Sequence, residues 1–152
     1  MLPSGRRLAI DYGEVRIGLA MSDPTGTLSS PLMTLRNEVS NPDGTFQAIS
    51  EVVDANEIRA IYIGLPLHLS GEEGASSEKV RIFAAGLRTH VSLQMPIQLL
   101  DERLSTKAAI NQANAMGKKL GRDEVDQMAA VAILEFALSV EKSIGNFAGN
   151  AI

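Results

Sequence analysis

The chain alternates between short, nearly unbroken apolar runs and longer stretches in which apolar residues recur every three or four positions. Runs of the first kind read as buried strands, and stretches of the second kind as helices with one buried stripe. The strand-like runs are Leu8 to Ile10, Ile17 to Met21, Ile58 to Leu65 and Pro96 to Leu100. A further strand is expected from Gly26 to Leu35. Its central Pro31 cannot donate to a ladder, which places that strand at a sheet edge or at a bulge. Helical spacing occurs at Phe46, Ile49, Val52 and Val53, within a predicted helix from Thr45 to Asn56. It recurs at Val80, Phe83, Ala84 and Leu87, behind a cap at Ser76 or Ser77. The longest amphipathic stretch runs from Asp123 to Lys142, with Val125, Met128, Ala129, Ala132, Ile133, Phe136 and Val140 as its buried face.

Between these lie a turn at Asn41-Pro-Asp-Gly44, a Gly-rich loop from Gly64 to Gly74, and a shorter helix from Thr106 to about Met116 that Gly117 ends. Beyond Ser143, Gly, Asn and Ala predict a loosely ordered tail. A strand, a helix and another strand in succession imply a crossover and parallel pairing, hence an α/β fold. At 152 residues the chain is read as one domain, with its core at about residues 6–142 and the tail at 143–152.

The candidate chemistry sits where these elements end. Asp11 follows directly on the first apolar run, Asp101-Glu102 on a later one, and Asp126 stands in the first turn of the last helix. A carboxylate after a buried strand is held rigidly at the rim of the sheet. Gly13 and Gly18 let a ligand or neighbouring backbone approach it without a Cβ in the way. Taken singly, these acids have ordinary readings: a polar hairpin turn, or compensation of a helix dipole. Taken together they form a constellation that core packing does not require, and clustered carboxylates repel one another unless cations compensate. Hard oxygen ligands suit Mg²⁺ or Mn²⁺, and two such ions about 4 Å apart serve an in-line phosphodiester displacement. His68, in the loop after the central strand, is a candidate ligand or base, and more simply a hydrogen-bonded or substrate-facing group.

Composition narrows the partners. With 18 acids against 14 Lys and Arg the formal net charge is −4, which weakens non-specific attraction to nucleic acid. A local basic rim can still hold a phosphate backbone, and Arg6, Arg7, Arg16, Arg103, Lys107, Lys118, Lys119 and Arg122 are its candidates. The chain has no cysteine, so disulfides and thiolate metal sites are excluded. No long apolar segment suggests a leader or a membrane span, and a cytoplasmic protein is expected.

Several of these pieces recur together in a known family. The run Asp11-Tyr-Gly-Glu-Val-Arg-Ile-Gly18 is followed by Ser22-Asp23, Pro31-Leu32, and Gly64-Leu-Pro66 with Gly71 and Gly74. Asp101-Glu-Arg-Leu-Ser-Thr106 and Val125-Asp126 with Ala129-Ala130 come next. In order and spacing, from Leu8 to about Ser139, this resembles the YqgF/RuvX family, described as Holliday-junction resolvases and as pre-16S rRNA nucleases.

The resemblance implies a ribonuclease H-like fold with a central five-stranded mixed β-sheet flanked by helices. It also implies a nuclease dependent on Mg²⁺ or Mn²⁺, whose catalytic, metal-binding acids correspond to Asp11, Glu102 and Asp126. Neighbouring residues at a strand end face opposite ways, so one of Asp101 and Glu102 faces the site, and the resemblance implies Glu102 at the metal, with Asp101 and Gly13 supporting the site. Arg16, Arg103, Lys107 and His68 are the substrate-binding candidates, although salt bridges to Glu102 or Asp11 would explain the two arginines equally well. Two departures from the family pattern stand out: Ser105 where relatives often have a second threonine, and His68 where many have asparagine.

The partner so implied is structured RNA such as pre-rRNA, or branched DNA, bound by a monomer or a homodimer. A non-catalytic RNA-binding adaptor in ribosome maturation is the alternative from the binding class. Nucleotide binding of the sugar-kinase, actin and chaperone type shares the first hairpin, but it requires a second such domain that this length does not provide.

Overall fold

The structure, a computed structural model, describes residues 2–105 and 121–152. The helix expected from Thr106 to Met116, and with it Lys107, lies outside the described residues. So do Lys118 and Lys119.

The apolar runs become strands β1 (Arg6–Asp11), β2 (Arg16–Ser22), β4 (Ile58–Leu65) and β5 (Ile97–Asp101), and the Pro-containing stretch becomes β3 (Ser29–Arg36). Helices α1 (Pro42–Ala55) and α2 (Ala75–Arg88) follow β3 and β4, and α3 (Arg122–Ile144) is the long amphipathic stretch. The sheet order is β3-β2-β1-β4-β5-β6, with β1, β4 and β5 parallel and the other pairings antiparallel. This is the expected mixed sheet flanked by helices. Pro31 fits both expectations: β3 is an edge strand, and the register slips there, Leu19 facing Met33 while Ala20 faces Pro31.

Two helix starts differ from expectation for local reasons. α1 begins at Pro42, since a proline in the first turn needs no hydrogen-bond acceptor and already has helical φ. At α2 the cap position belongs to Gly74, whereas Ser77 is buried, accepts a bond from the Gly74 N–H at 3.3 Å and donates to the Pro66 carbonyl.

Alternation along the strands sorts side chains into two cores. Leu8, Ile10, Leu19, Ile61 and Ile63 pack against α1 and α2 through Phe46, Ile49, Val80, Phe83 and Leu87. On the opposite face Ala9, Ala20, Tyr62 and Leu100 meet Ala130, Ile133, Leu134, Ala137 and Leu138 of α3. The buried arc of α3 is therefore rotated from the expected one. Met128 is 36% exposed, Phe136 and Val140 are only partly buried, and Leu134, Ala137 and Leu138 face inward. Between residues 128 and 138 α3 is apolar on nearly every side, so spacing under-determines the arc. Small residues on both partners decide it, because they let the helix lie close to the sheet.

A sixth strand, β6 (Asn150–Ala151), takes the count beyond the expected five and comes from the stretch expected to be a loose tail. Gly145 adopts a left-handed φ of 67° and ends α3; Gly149, at φ 69°, passes so close to the Leu99 carbonyl that a Cβ would collide with it. Asn150 and Ala151 then pair with Leu99 and Gln98.

The tail is further held by a buried polar network. Arg7, a candidate for the basic rim, is instead buried, donating from Nε and Nη2 to both Glu141 carboxylate oxygens at 3.2 and 3.1 Å. The Tyr62 hydroxyl donates to Glu141 Oε2 at 2.6 Å and accepts from the Ala148 N–H at 3.0 Å. Burial, reinforced by the bond to Glu141, pushes the Tyr62 hydroxyl well above its usual pKa. No described helix is long and apolar enough to cross a membrane.

Candidate active site

The parallel strands β1, β4 and β5 all finish at one edge of the sheet, where ligands bind in α/β folds. Ile10 pairs with Ile63 and Gly64 with Leu100, so Asp11 stands beside Gly64 at this rim. Asp11 shares the face of Ala9, towards α3, and is buried.

Each neighbour of Asp11 in the sheet is a glycine, and a side chain at either would meet α3 or another acid. Across the antiparallel ladder Asp11 faces Gly18. A Cβ on Gly18 would run into the Asp126 carbonyl and come within 3.0 Å of the Asp126 Cβ. On the parallel side, a Cβ on Gly64 would lie 2.9 Å from Glu102 Oε2 and 2.7 Å from Ile133 Cδ1. Glu102 and Asp126 thus lie on either side of Asp11 on the α3 face, each beside one of its strand neighbours.

Replacement of Gly18 by Ala is expected to push α3 outward at Asp126, because backbone cannot yield as a flexible side chain can. The expected loss of stability is about 1–3 kcal/mol, the usual cost of overpacking, and is checked by urea denaturation. An unchanged midpoint would show that the helix does not rest on this glycine.

The acids share a corner without forming a closed ligand set. Asp126 Oδ2 accepts from Arg16 Nε at 2.8 Å, and among the described residues no three acidic or histidine side chains are grouped closely enough to hold one ion. Arg16 is therefore paired with Asp126, neither of the acids anticipated for it.

Asp101, by contrast, is bound up with Arg103. It accepts from the Arg103 backbone N–H and Nε at 3.0 Å and from Nη2 at 2.7 Å, capping the 3-10 turn of residues Glu102–Leu104. The Arg103 guanidinium holds the Asp101 carboxyl below the usual carboxylate range. Arg103 Nη1 also donates to the carbonyls of His68 and Leu69 at 3.3 and 3.1 Å, which ties the Gly64–Gly74 loop to the end of β5.

His68 itself is exposed, and its ring lies over Gly74 where the loop closes onto α2. The Gly13 carbonyl accepts from Asn37 Nδ2 at 2.8 Å, bracing the turn after Asp11 against the end of β3. Tyr12, Asn37 and Lys79 surround this turn on the α1–α2 side. Sequence reasoning did not single them out, although the position of Tyr12 next to Asp11 was a signal.

A mixed sheet in this order, with carboxylates gathered at the ends of its parallel strands, defines a ribonuclease H-like domain. The family profile described as "RuvX: Holliday junction resolvase" matches residues 5–140. The chain belongs to the RuvX family. A Streptomyces avermitilis protein named "Putative pre-16S rRNA nuclease" is 38% identical over 150 residues, covering 97% of this chain and 94% of that one. A Koribacter versatilis protein of the same name is 41% identical over 133 residues, 86% and 84% of the two chains. Thermus thermophilus RuvC, solved in complex with a Holliday junction substrate, superposes with a TM-score of 0.62 at 15% identity, covering 97% of this chain and 99% of its own, a likeness of fold.

Proposed function

We propose that this protein is a divalent-metal-dependent nuclease that acts in the cytoplasm on the 5′ end of pre-16S rRNA. The observation that carries the reading is the pair of glycines flanking Asp11, whose missing side chains admit Glu102 and Asp126 to one corner. The names of the curated relatives supply the substrate.

The donor set fits the metal. Mg²⁺ is commonly held by one or two carboxylates together with waters and substrate phosphates, so Asp11 and Glu102 suffice to hold it or Mn²⁺. Asp126 would join them when Arg16 turns to another anion. When bound, such a metal would supply electrostatic stabilisation of the charge that develops in phosphodiester hydrolysis. Arg16, already at the corner, offers a planar guanidinium that grips two phosphate oxygens, and an incoming backbone competes with Asp126 for it. Arg103 acts on the substrate indirectly, by fixing the loop that borders the site.

The test uses purified protein with an RNA carrying the 5′ flank of 16S rRNA and with a four-way DNA junction, each with Mg²⁺, with Mn²⁺ and with EDTA. Metal-dependent cleavage of the RNA is expected. Cleavage confined to the junction would move the substrate to branched DNA, the family's other description. Cleavage of neither would leave the adaptor role.

A further inference from the structure

On the other side of the rim from the acids, Tyr12 faces α1 and α2, as alternation beyond Asp11 requires. Its ring meets Phe83 with centroids 4.7 Å apart, and Phe83 meets Phe46 at 5.5 Å. The three rings line a cavity of about 360 Å³. At its mouth stand Val39 and Ile82, 69% and 65% exposed, with Asn37 and Lys79. We infer that this cavity receives an unpaired nucleobase of the substrate strand, next to the nucleotide held at Asp11. The inference rests on the nuclease reading and extends it to a site for single-stranded substrate.

Three observations favour that occupant. Sites for small planar ligands begin near 300 Å³ and are mostly apolar with a few polar groups at fixed places, as here. Binding of single strands combines aromatic surfaces for the bases with cations for the backbone. Tyr12, Phe46 and Phe83 supply the first and Lys79 the second. Lys79 is paired with Glu14, both of them exposed, and solvent screens such a pair enough for a phosphate to displace the carboxylate. The cavity also adjoins the acid corner along the chain, on the opposite face of the sheet. Tyr12 is the chain neighbour of Asp11, and the bond from Asn37 to the Gly13 carbonyl joins the mouth to the same turn. An apolar peptide would fill the walls equally well, but it would gain nothing from the cation or from the adjacency to Asp11.

The experiment uses the full chain carrying Asp11→Asn, without divalent metal, so that binding is read apart from cleavage. A fluorescent single-stranded RNA 12-mer bearing one 5-iodouridine is the probe, with the same sequence as DNA and as a blunt RNA duplex for comparison. Ultraviolet cross-linking should label Tyr12, Phe46 or Phe83. Added Tyr12→Ala should weaken single-strand binding about tenfold, the order expected for the loss of one base-aromatic stack, and change duplex binding less than about twofold. Should Tyr12→Ala fail to fold, Ile82→Gln at the exposed mouth decides the affinity comparison. Leu93→Gln, at a residue 85% exposed and outside the cavity, should have no effect. Cross-links confined to other residues, or unchanged single-strand affinity in the deciding variant, would overturn the inference. Wild-type cleavage without cross-links here would sink only the base site, whereas cross-links here in a protein that never cleaves would sink only the hydrolytic reading.

Discussion

Replacing Asp11 by Asn is expected to lower metal-supported cleavage by about a thousandfold or more and to leave the protein folded. The magnitude follows from what is removed. A single fixed electrostatic contact to a transition state is worth about 10² to 10³ in rate, and loss of a metal ligand removes the ion's contribution as well. Asn has the shape of Asp, so the fit between Gly18 and Gly64 is undisturbed and no cavity forms. Stability should hold or rise, since the variant relieves a buried carboxylate of its repulsion from Glu102 and Asp126. Single-turnover cleavage at saturating Mn²⁺, with thermal melting alongside, checks both halves of the expectation. Asp126→Asn should cost less than Asp11→Asn at the same metal concentration, because Asp126 shares its charge with Arg16. A rate within tenfold of wild type in Asp11→Asn would remove Asp11 from the chemistry.

Much of this corner was legible in the chain itself. Asp11 is placed by the apolar run before it, and Gly18 was recognisable as a point of close approach, although not as the seat of the Asp126 backbone. Alternation said that only one of Asp101 and Glu102 would face the corner, and the family resemblance favoured Glu102; Leu100 faces α3, and Glu102, two residues on, reaches Gly64 on that side. Asp101 turns away and pairs with Arg103. Which acids the two arginines would meet was not legible, since a guanidinium reaches any of several carboxylates and only the packed chain selects one. Arg7 shows the same limit more sharply. At the start of a strand it reads like its neighbour Arg6, and nothing nearby announces that a glutamate 134 positions away will bury it. The two-residue β6 carries no periodicity at all; its signal lies in Gly145 and Gly149, whose need for positive φ only the fold reveals.

The buried Arg7–Glu141 pair yields the largest stability effect expected. Truncating Glu141 to Ala should destabilise the protein by about 3–5 kcal/mol, the usual cost of stranding one member of a buried ion pair. For a chain of this length that lowers the melting temperature by roughly 6–20 °C. Arg7 keeps the carbonyls of Pro3 and Gly5 as acceptors and its stacking on Phe147, but these do not replace a counter-charge. Tyr62 loses its acceptor in the same step and retains only the Ala148 N–H. Because Tyr62 and Ala148 connect the network to the chain end, β6 and the C-terminal turn of α3 should lose amide protection before the rest of the sheet. The double variant Arg7→Met, Glu141→Leu separates charge from packing. If the penalty of Glu141→Ala is an uncompensated guanidinium, replacing both partners by apolar side chains should recover most of the stability. Equal destabilisation in the single and double variants would instead assign the loss to shape, and would make the network a spacer that sets how α3 lies across the sheet and so where Asp126, at its other end, meets Gly18.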